Sequence, residues 1–259
     1  MTAPTTTGRR VRSAPSPGSA GPINPTVVWL GMRSLFARRR GILLFVLSLV
    51  LIALAVVVRV LTDATSQVAD DVLHQLGLVV VVPLVALVAT TGLVSSEIDD
   101  GSAVYLLAKP VSRLSIVVSK LVVAGGCVLA FAAVPLLVAS LVMKPDTPRL
   151  GAGFAVGGLA GGLAYCALFA VASVLTRHAV VAGLIYVLIW EGLLGGLLDG
   201  IRWMSVNWWS AAITDELTGA DLVDKLGPGY AVPATLAVIV GATWLAGHKL
   251  RGYNYRSDE

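Results

Sequence analysis

The sequence predicts an all-α membrane protein with six transmembrane helices, both termini cytoplasmic, and an interfacial helix ahead of the first span. Three observations predict it. Of 259 residues, 56% are apolar and only 13% are charged, against about 25% charged in a soluble domain. The apolar residues fall in runs long enough to cross a hydrocarbon core of roughly 30 Å, which takes about 20 helical residues. Arginine and lysine collect in alternate connections between those runs, the pattern that orients a chain in a bilayer. This composition excludes a cytosolic enzyme, a disordered chain and a disulfide scaffold. The uninterrupted runs also lack the alternation of barrel strands, and open strands cannot satisfy their backbone in lipid.

Residues 1–25, dominated by Ser, Thr, Pro and Gly, cannot bury enough apolar surface to fold and read as a disordered cytoplasmic tail. They do not suit a secretory leader. The basic region is too long, and the first apolar run meets Arg59 rather than a small-residue cleavage site. Residues 26–40 put Val28, Trp29, Met32, Leu35 and Phe36 at helical spacing, with Arg33, Arg38, Arg39 and Arg40 available to the polar side. That pattern predicts an amphipathic helix in the inner interface, anchored on anionic lipid through Arg38, Arg39 and Arg40.

The transmembrane domain occupies 41–250, with spans at 42–58, 76–94, 121–143, 150–176, 179–198 and about 229–247. Arg59 can snorkel to the interface. Pro83, Pro135 and Pro233 fall inside spans, where neighbours must satisfy the freed carbonyls. Residues 251–259 form a second cytoplasmic tail. Seven arginines precede the first span; Lys109, Arg113 and Lys120 follow the second, Arg177 follows the fourth, and Lys249, Arg251 and Arg256 follow the sixth. The opposite side holds only Arg59, Lys144, Arg149, Arg202 and Lys225. The positive-inside rule therefore puts both termini in the cytoplasm.

The outer connections are unequal. Residues 144–149 make a tight turn, whereas 199–228 form a long loop. In it Trp209, Ile213, Leu217, Ala220 and Val223 recur at spacings of four and three, predicting a short helix on the outer leaflet. Trp203, Trp208 and Trp209 suit the headgroup level, so the segment reads as an anchor rather than a lid. Cys127 and Cys166 read as small buried hydrophobes. The three histidines sit at span ends on both sides of the membrane, and no metal site is expected. Gly157, Gly158, Gly161 and Gly162, and Gly192, Gly196 and Gly200, give small-residue faces for close helix packing. Glu191 is the one acidic residue well inside a span. A central charge costs roughly 2.5–3.5 kcal/mol, so it is a candidate pathway or gate residue.

The segment 95–120, SSEIDDGSAVYLLAKPVSRLSIVVSK, carries the most information. An acidic cluster (Glu97, Asp99, Asp100) is followed by Gly101, an apolar stretch, Lys109-Pro110, Arg113 and Lys120. This order predicts a short membrane-facing helix whose charged end is offered to a soluble partner. Glu97, Gly101, Ser102, Leu106, Leu107, Pro110, Arg113 and Lys120 resemble the E-x-x-x-G-[ST]-x-x-x-L-L-x-x-P-x-x-R-x-x-x-x-x-x-K pattern after the second span of type-2 ATP-binding-cassette (ABC) transporter permeases. Span count, cytoplasmic termini, the basic interfacial helix and the long last outer loop are similar to that family too, over 26–250.

The resemblance implies a non-catalytic half-transporter of the cell membrane. Two permease copies or paralogues would assemble with two cytosolic ATPase subunits. Glu97, Asp99, Asp100 and Gly101 would face the ATPase, while Lys109, Pro110 and Arg113 would orient the coupling helix. The resemblance also implies efflux of a hydrophobic or amphipathic compound. ATP and Mg²⁺ would bind the partner, and this chain would hold no cofactor. It has no G-x-x-x-x-G-K-[ST] phosphate loop. The basic residues are explained by lipid and orientation, not nucleic acid. The alternatives are a non-transporting scaffold that recruits a cytosolic partner and, less well supported for want of motifs, an intramembrane enzyme.

Overall fold

The computed structural model describes residues 40–62, 66–99, 113–176, 178–220, 222–223 and 226–252. Every regular element among them is helical. Six helices are long and apolar enough to cross a membrane: Gly41–Thr62, Val68–Leu93, Val117–Met143, Pro148–Leu175, Ala179–Leu197 and Pro228–Lys249. Each contains or overlaps one expected run, because an unbroken apolar stretch has no other way to bond its backbone in lipid. In chain order, α1 is Arg40–Thr62. Helix α2 covers 66–99, with a π-helical stretch Leu73–Val81 between Ser66–Val72 and Val82–Asp99. Helix α3 covers 113–143, with a π-helical stretch Leu129–Ala133. Helix α4 is Pro148–Leu175, and α5 covers 179–197 around a π-helical stretch Tyr186–Leu194. Then come α6 Asp199–Arg202, α7 Val206–Thr218 and α8 Pro228–Gly252.

Helices α2, α3 and α4 form the centre, burying 72%, 56% and 61% of an 18-residue apolar stretch, whereas α1, α5 and α8 bury 22% of theirs. Leu78, Val82, Leu136, Phe154, Tyr165 and Phe169 are fully enclosed there. Small residues set the separations. A Cβ on Gly77 or Gly158 would run into Leu136, on Gly162 into Val128, and on Gly183 into Leu87 and Phe169. Glycine lets the backbones approach, and dispersion between them replaces the hydrophobic drive that lipid does not supply.

At one end of the bundle Lys144 lies 3.8 Å from Asp70, and Arg59 donates to the Met143 carbonyl at the end of α3. Arg59 therefore bonds a neighbouring helix end. At the other end Ala246 packs with Val117 and Val174. With six spans, α1 begins and α8 finishes at this second end. The arginine pattern would make it the inner end.

The prolines have local consequences. The π-helical stretches of α2 and α3 end immediately before Val82-Pro83 and Val134-Pro135, since a proline cannot make the i→i−4 bond and its ring crowds that carbonyl. Pro135 has no amide to donate to the Phe131 carbonyl four residues back, and the Ser48 hydroxyl of α1 donates to that carbonyl at 2.7 Å.

The tail 1–25, most of the interfacial segment 26–40 with Arg38 and Arg39, and Asp100, Gly101, Lys109 and Pro110 lie outside the described residues. Arg40 opens α1, Glu97 and Asp99 belong to the last turn of α2, and Arg113 opens α3. The backbone thus brackets the connection 100–112 between two span ends.

Candidate functional site

The connection after α5 contains the predicted helix, but not on the outer leaflet. Helix α7 packs on α4 and buries Val206, Asn207, Trp209, Ser210, Ala211, Ala212 and Thr214. Its docking surface is a glycine ladder. A Cβ on Gly153 would meet Thr218, on Gly157 Thr214 and Ser210, and on Gly161 Ser210. The Ser210 hydroxyl also donates to the Gly157 carbonyl at 2.7 Å. The ladder makes α7 antiparallel to α4, with its N-terminus deeper in the bundle than its C-terminus. Trp209, expected among the headgroups, is only 6% exposed, whereas Trp203 is 42% exposed. The physical reason is that Ser and Thr at four-residue spacing complement Gly at the same spacing, and this outweighs an amphipathic fit to lipid.

Both ends of α7 are closed. At its C-terminus Gly219 takes the left-handed conformation, φ +68°, which glycine adopts without a Cβ clash. Arg149 Nε donates to the Leu217 carbonyl at 2.7 Å, a cation at the negative helix end. The Asp215 carboxylate accepts from the Leu222 and Val223 amides, both at 2.8 Å, tying down the chain that leaves α7.

The N-terminus of α7 is closed by Glu191 of α5. Glu191 lies past the midpoint of the span Ala179–Leu197, twelve residues from its start. It is 4% exposed. Oε1 accepts from the Tyr186 hydroxyl at 3.1 Å and the Val206 amide at 3.0 Å. Oε2 accepts from the Ser205 hydroxyl and from the Asn207 amide at 3.3 Å. Ser205 is also the N-cap of α7, its oxygen accepting from the Trp208 amide at 3.4 Å. The buried carboxylate therefore sits where a helix presents orphan amides and the positive end of its dipole, an arrangement built for an anion.

The turn between α6 and α7 is held from above as well. The Trp203 carbonyl accepts from Trp209 Nε1 at 2.9 Å and the Tyr230 hydroxyl of α8 at 3.0 Å. The Met204 carbonyl accepts from Trp190 Nε1 at 3.4 Å, and the Arg202 guanidinium lies 4.5 Å from the Trp208 ring centre. Residues 203–207 are a junction at which α5, α7 and α8 are joined by hydrogen bonds.

Of the residues singled out from the sequence, the structure gives Glu191 a built environment. Sequence reasoning missed its partners Tyr186, Ser205, Val206 and Asn207. One available signal was the matching period of Gly153, Gly157 and Gly161 with Ser210, Thr214 and Thr218. Among the described residues no group of three His, Cys, Asp or Glu could hold a metal. A family model described as ABC-2 family transporter protein matches residues 26–197. No curated protein matches the chain. The matched region runs from the interfacial segment through α5 and includes Glu191; the residues that cap α7 with it lie beyond.

Proposed function

Because the chain belongs to the ABC-2 transporter family and is an ABC transporter permease, we propose that it works as a half-transporter driven by a separate cytosolic ATPase. On this reading a second permease copy completes the pathway, ATP and Mg²⁺ are held by the ATPase, and a hydrophobic or amphipathic compound moves outward across the cell membrane. Both termini face the cytoplasm, as the lysine and arginine distribution favours. The ATPase seats on the connection between α2 and α3, with Glu97, Asp99, Asp100 and Gly101 toward it and Lys109, Pro110 and Arg113 orienting the helix. Arg38, Arg39 and Arg40 hold the chain to anionic lipid ahead of α1.

The observation that carries the reading is the family match over five of the six spans. The junction at Glu191 supports a gate at the outer end. A carboxylate in mid-span is expensive, and here it fastens α7 to α5 through four accepted hydrogen bonds. Motion reaching α5 from the inner side is then transmitted to the outer turn as a rigid-body displacement. The test is ATP hydrolysis by the reconstituted complex. Glu97→Lys reverses a charge at the docking point and is expected to abolish stimulation of the ATPase by this chain while leaving the thermal stability of the six-helix domain unchanged. Full stimulation in Glu97→Lys would remove the coupling role.

A further inference from the structure

Buried positions along α5 recur every fourth residue: Ala179, Gly183, Val187, Glu191 and Gly195. At about 100° per residue an α-helix would turn Gly195 roughly 160° away from Ala179. The π-helical stretch Tyr186–Leu194 keeps the repeat facing the bundle, because i→i+5 bonds widen each turn. The same widening brings Tyr186 into line with Glu191, five residues on, where the hydroxyl donates at 3.1 Å. In an α-helix these two would lie about 140° apart. The π-helical stretches of α2 and α3 run up to Pro83 and Pro135. Helix α5 contains no proline, so its covalent structure does not impose the wide turns. The hydrogen bonds on Glu191 fall within that stretch and tie it to the start of α7.

We propose that α5 has two registers: a π-helical one with Glu191 seated on the N-terminus of α7, and an α-helical one with Glu191 withdrawn and α7 released. Counting about 3.6 residues per turn up from Ala179 and Gly183 puts Tyr186, Trp190 and Leu194 inward in the second register. Each lies one residue before the position that faces inward now. Every residue above Tyr186 takes the orientation of its successor, and Trp190 turns inward where Glu191 stood. The exchange gives up the hydrogen bonds on Glu191 and returns the helix to ordinary i→i+4 bonding, which makes two discrete states rather than a continuous bend. Its use as an outer gate rests on the permease reading; its existence does not.

The test is site-directed nitroxide scanning of the full-length chain in phosphatidylcholine–phosphatidylglycerol vesicles, reading oxygen accessibility with single labels at 187–190 and 192–197. The starting protein is expected to show minima at Val187 and Gly195. In a Glu191→Ala background the minima are expected to move to Trp190 and Leu194, with accessibility rising at 187 and 195. Tyr186→Phe, which removes one hydrogen bond and no backbone cap, is expected to shift the same profile part of the way, and it decides the matter if Glu191→Ala does not fold. Minima that stay at 187 and 195 in the folded variants overturn the proposal. No nucleotide or ATPase enters the experiment, so this failure would leave the permease reading standing, and failure of that reading would leave the profile unchanged.

Discussion

Replacing Glu191 by alanine takes the acceptor from four donors at once. Among the described residues the Val206 and Asn207 amides have no other partner, and an orphaned buried amide costs about 1–3 kcal/mol. The Tyr186 and Ser205 hydroxyls can rotate, so each counts for only about 0.6 kcal/mol, the average of interhelical bonds in bilayers. Glu191 stays in the span whether α7 is seated or open, so the cost of a mid-span charge cancels. The loss is about 3–7 kcal/mol, at least about 100-fold in a local opening equilibrium at about 1.4 kcal/mol per factor of ten. Hydrogen exchange of the amides at 205–209 in the purified protein reads this directly, because opening of α7 need not unfold the bundle. Exchange at these amides should accelerate by that order while α3 and α4 keep their protection. If Glu191→Ala exchanges at the original rate, or more slowly, the carboxylate is not the cap that secures α7.

Three further outcomes follow from the packing. Gly157→Leu should lower the midpoint of thermal unfolding, since overpacking costs about 1–3 kcal/mol and a Cβ there already meets Thr214 and Ser210; Gly241→Ala, whose Cβ meets open space, should be neutral or raise the midpoint by the ~0.5–1 kcal/mol of helix preference. A Gly157→Leu protein as stable as its parent would place α7 elsewhere. Ser48→Ala should destabilise by about 0.6 kcal/mol, and the effect should shrink in a Pro135→Ala background, where residue 135 has an amide to offer the Phe131 carbonyl; equal effects in both backgrounds would contradict the link. Arg149→Ala should weaken protection of the last turn of α7, read by exchange at Thr218 and Gly219, by the ~0.3–1 kcal/mol of a cation at a helix C-terminus.

The spans were legible because an uninterrupted apolar run in lipid has one solution, a helix that satisfies its own backbone. Gly41–Thr62 and Ala179–Leu197 come within a few residues of the runs read from sequence. Span two starts eight residues earlier than its uncharged run, at Val68, because Asp70 is accommodated beside Lys144. The placement of α7 was not legible by the same reasoning. Its large apolar residues suggested a lipid-facing stripe, whereas its small polar ones, Ser210 and Thr214, decide the packing by fitting α4. Glu191 stood out as an anomaly of position, yet its partners lie up to sixteen residues away on a helix whose depth no local pattern reveals. The period of four along α5 is present in the sequence but departs from the 3.6-residue period of an α-helix.

The claim that joins these features is that this chain transmits the work of a separate ATPase. Purification from native membranes, with identification of every co-purifying chain and measurement of ATP hydrolysis, tests it most directly. The account predicts a soluble partner carrying a G-x-x-x-x-G-K-[ST] loop, hydrolysing ATP faster in the complex than alone. A complex that contains no ATPase, with function that survives depletion of ATP and chelation of Mg²⁺, would contradict it.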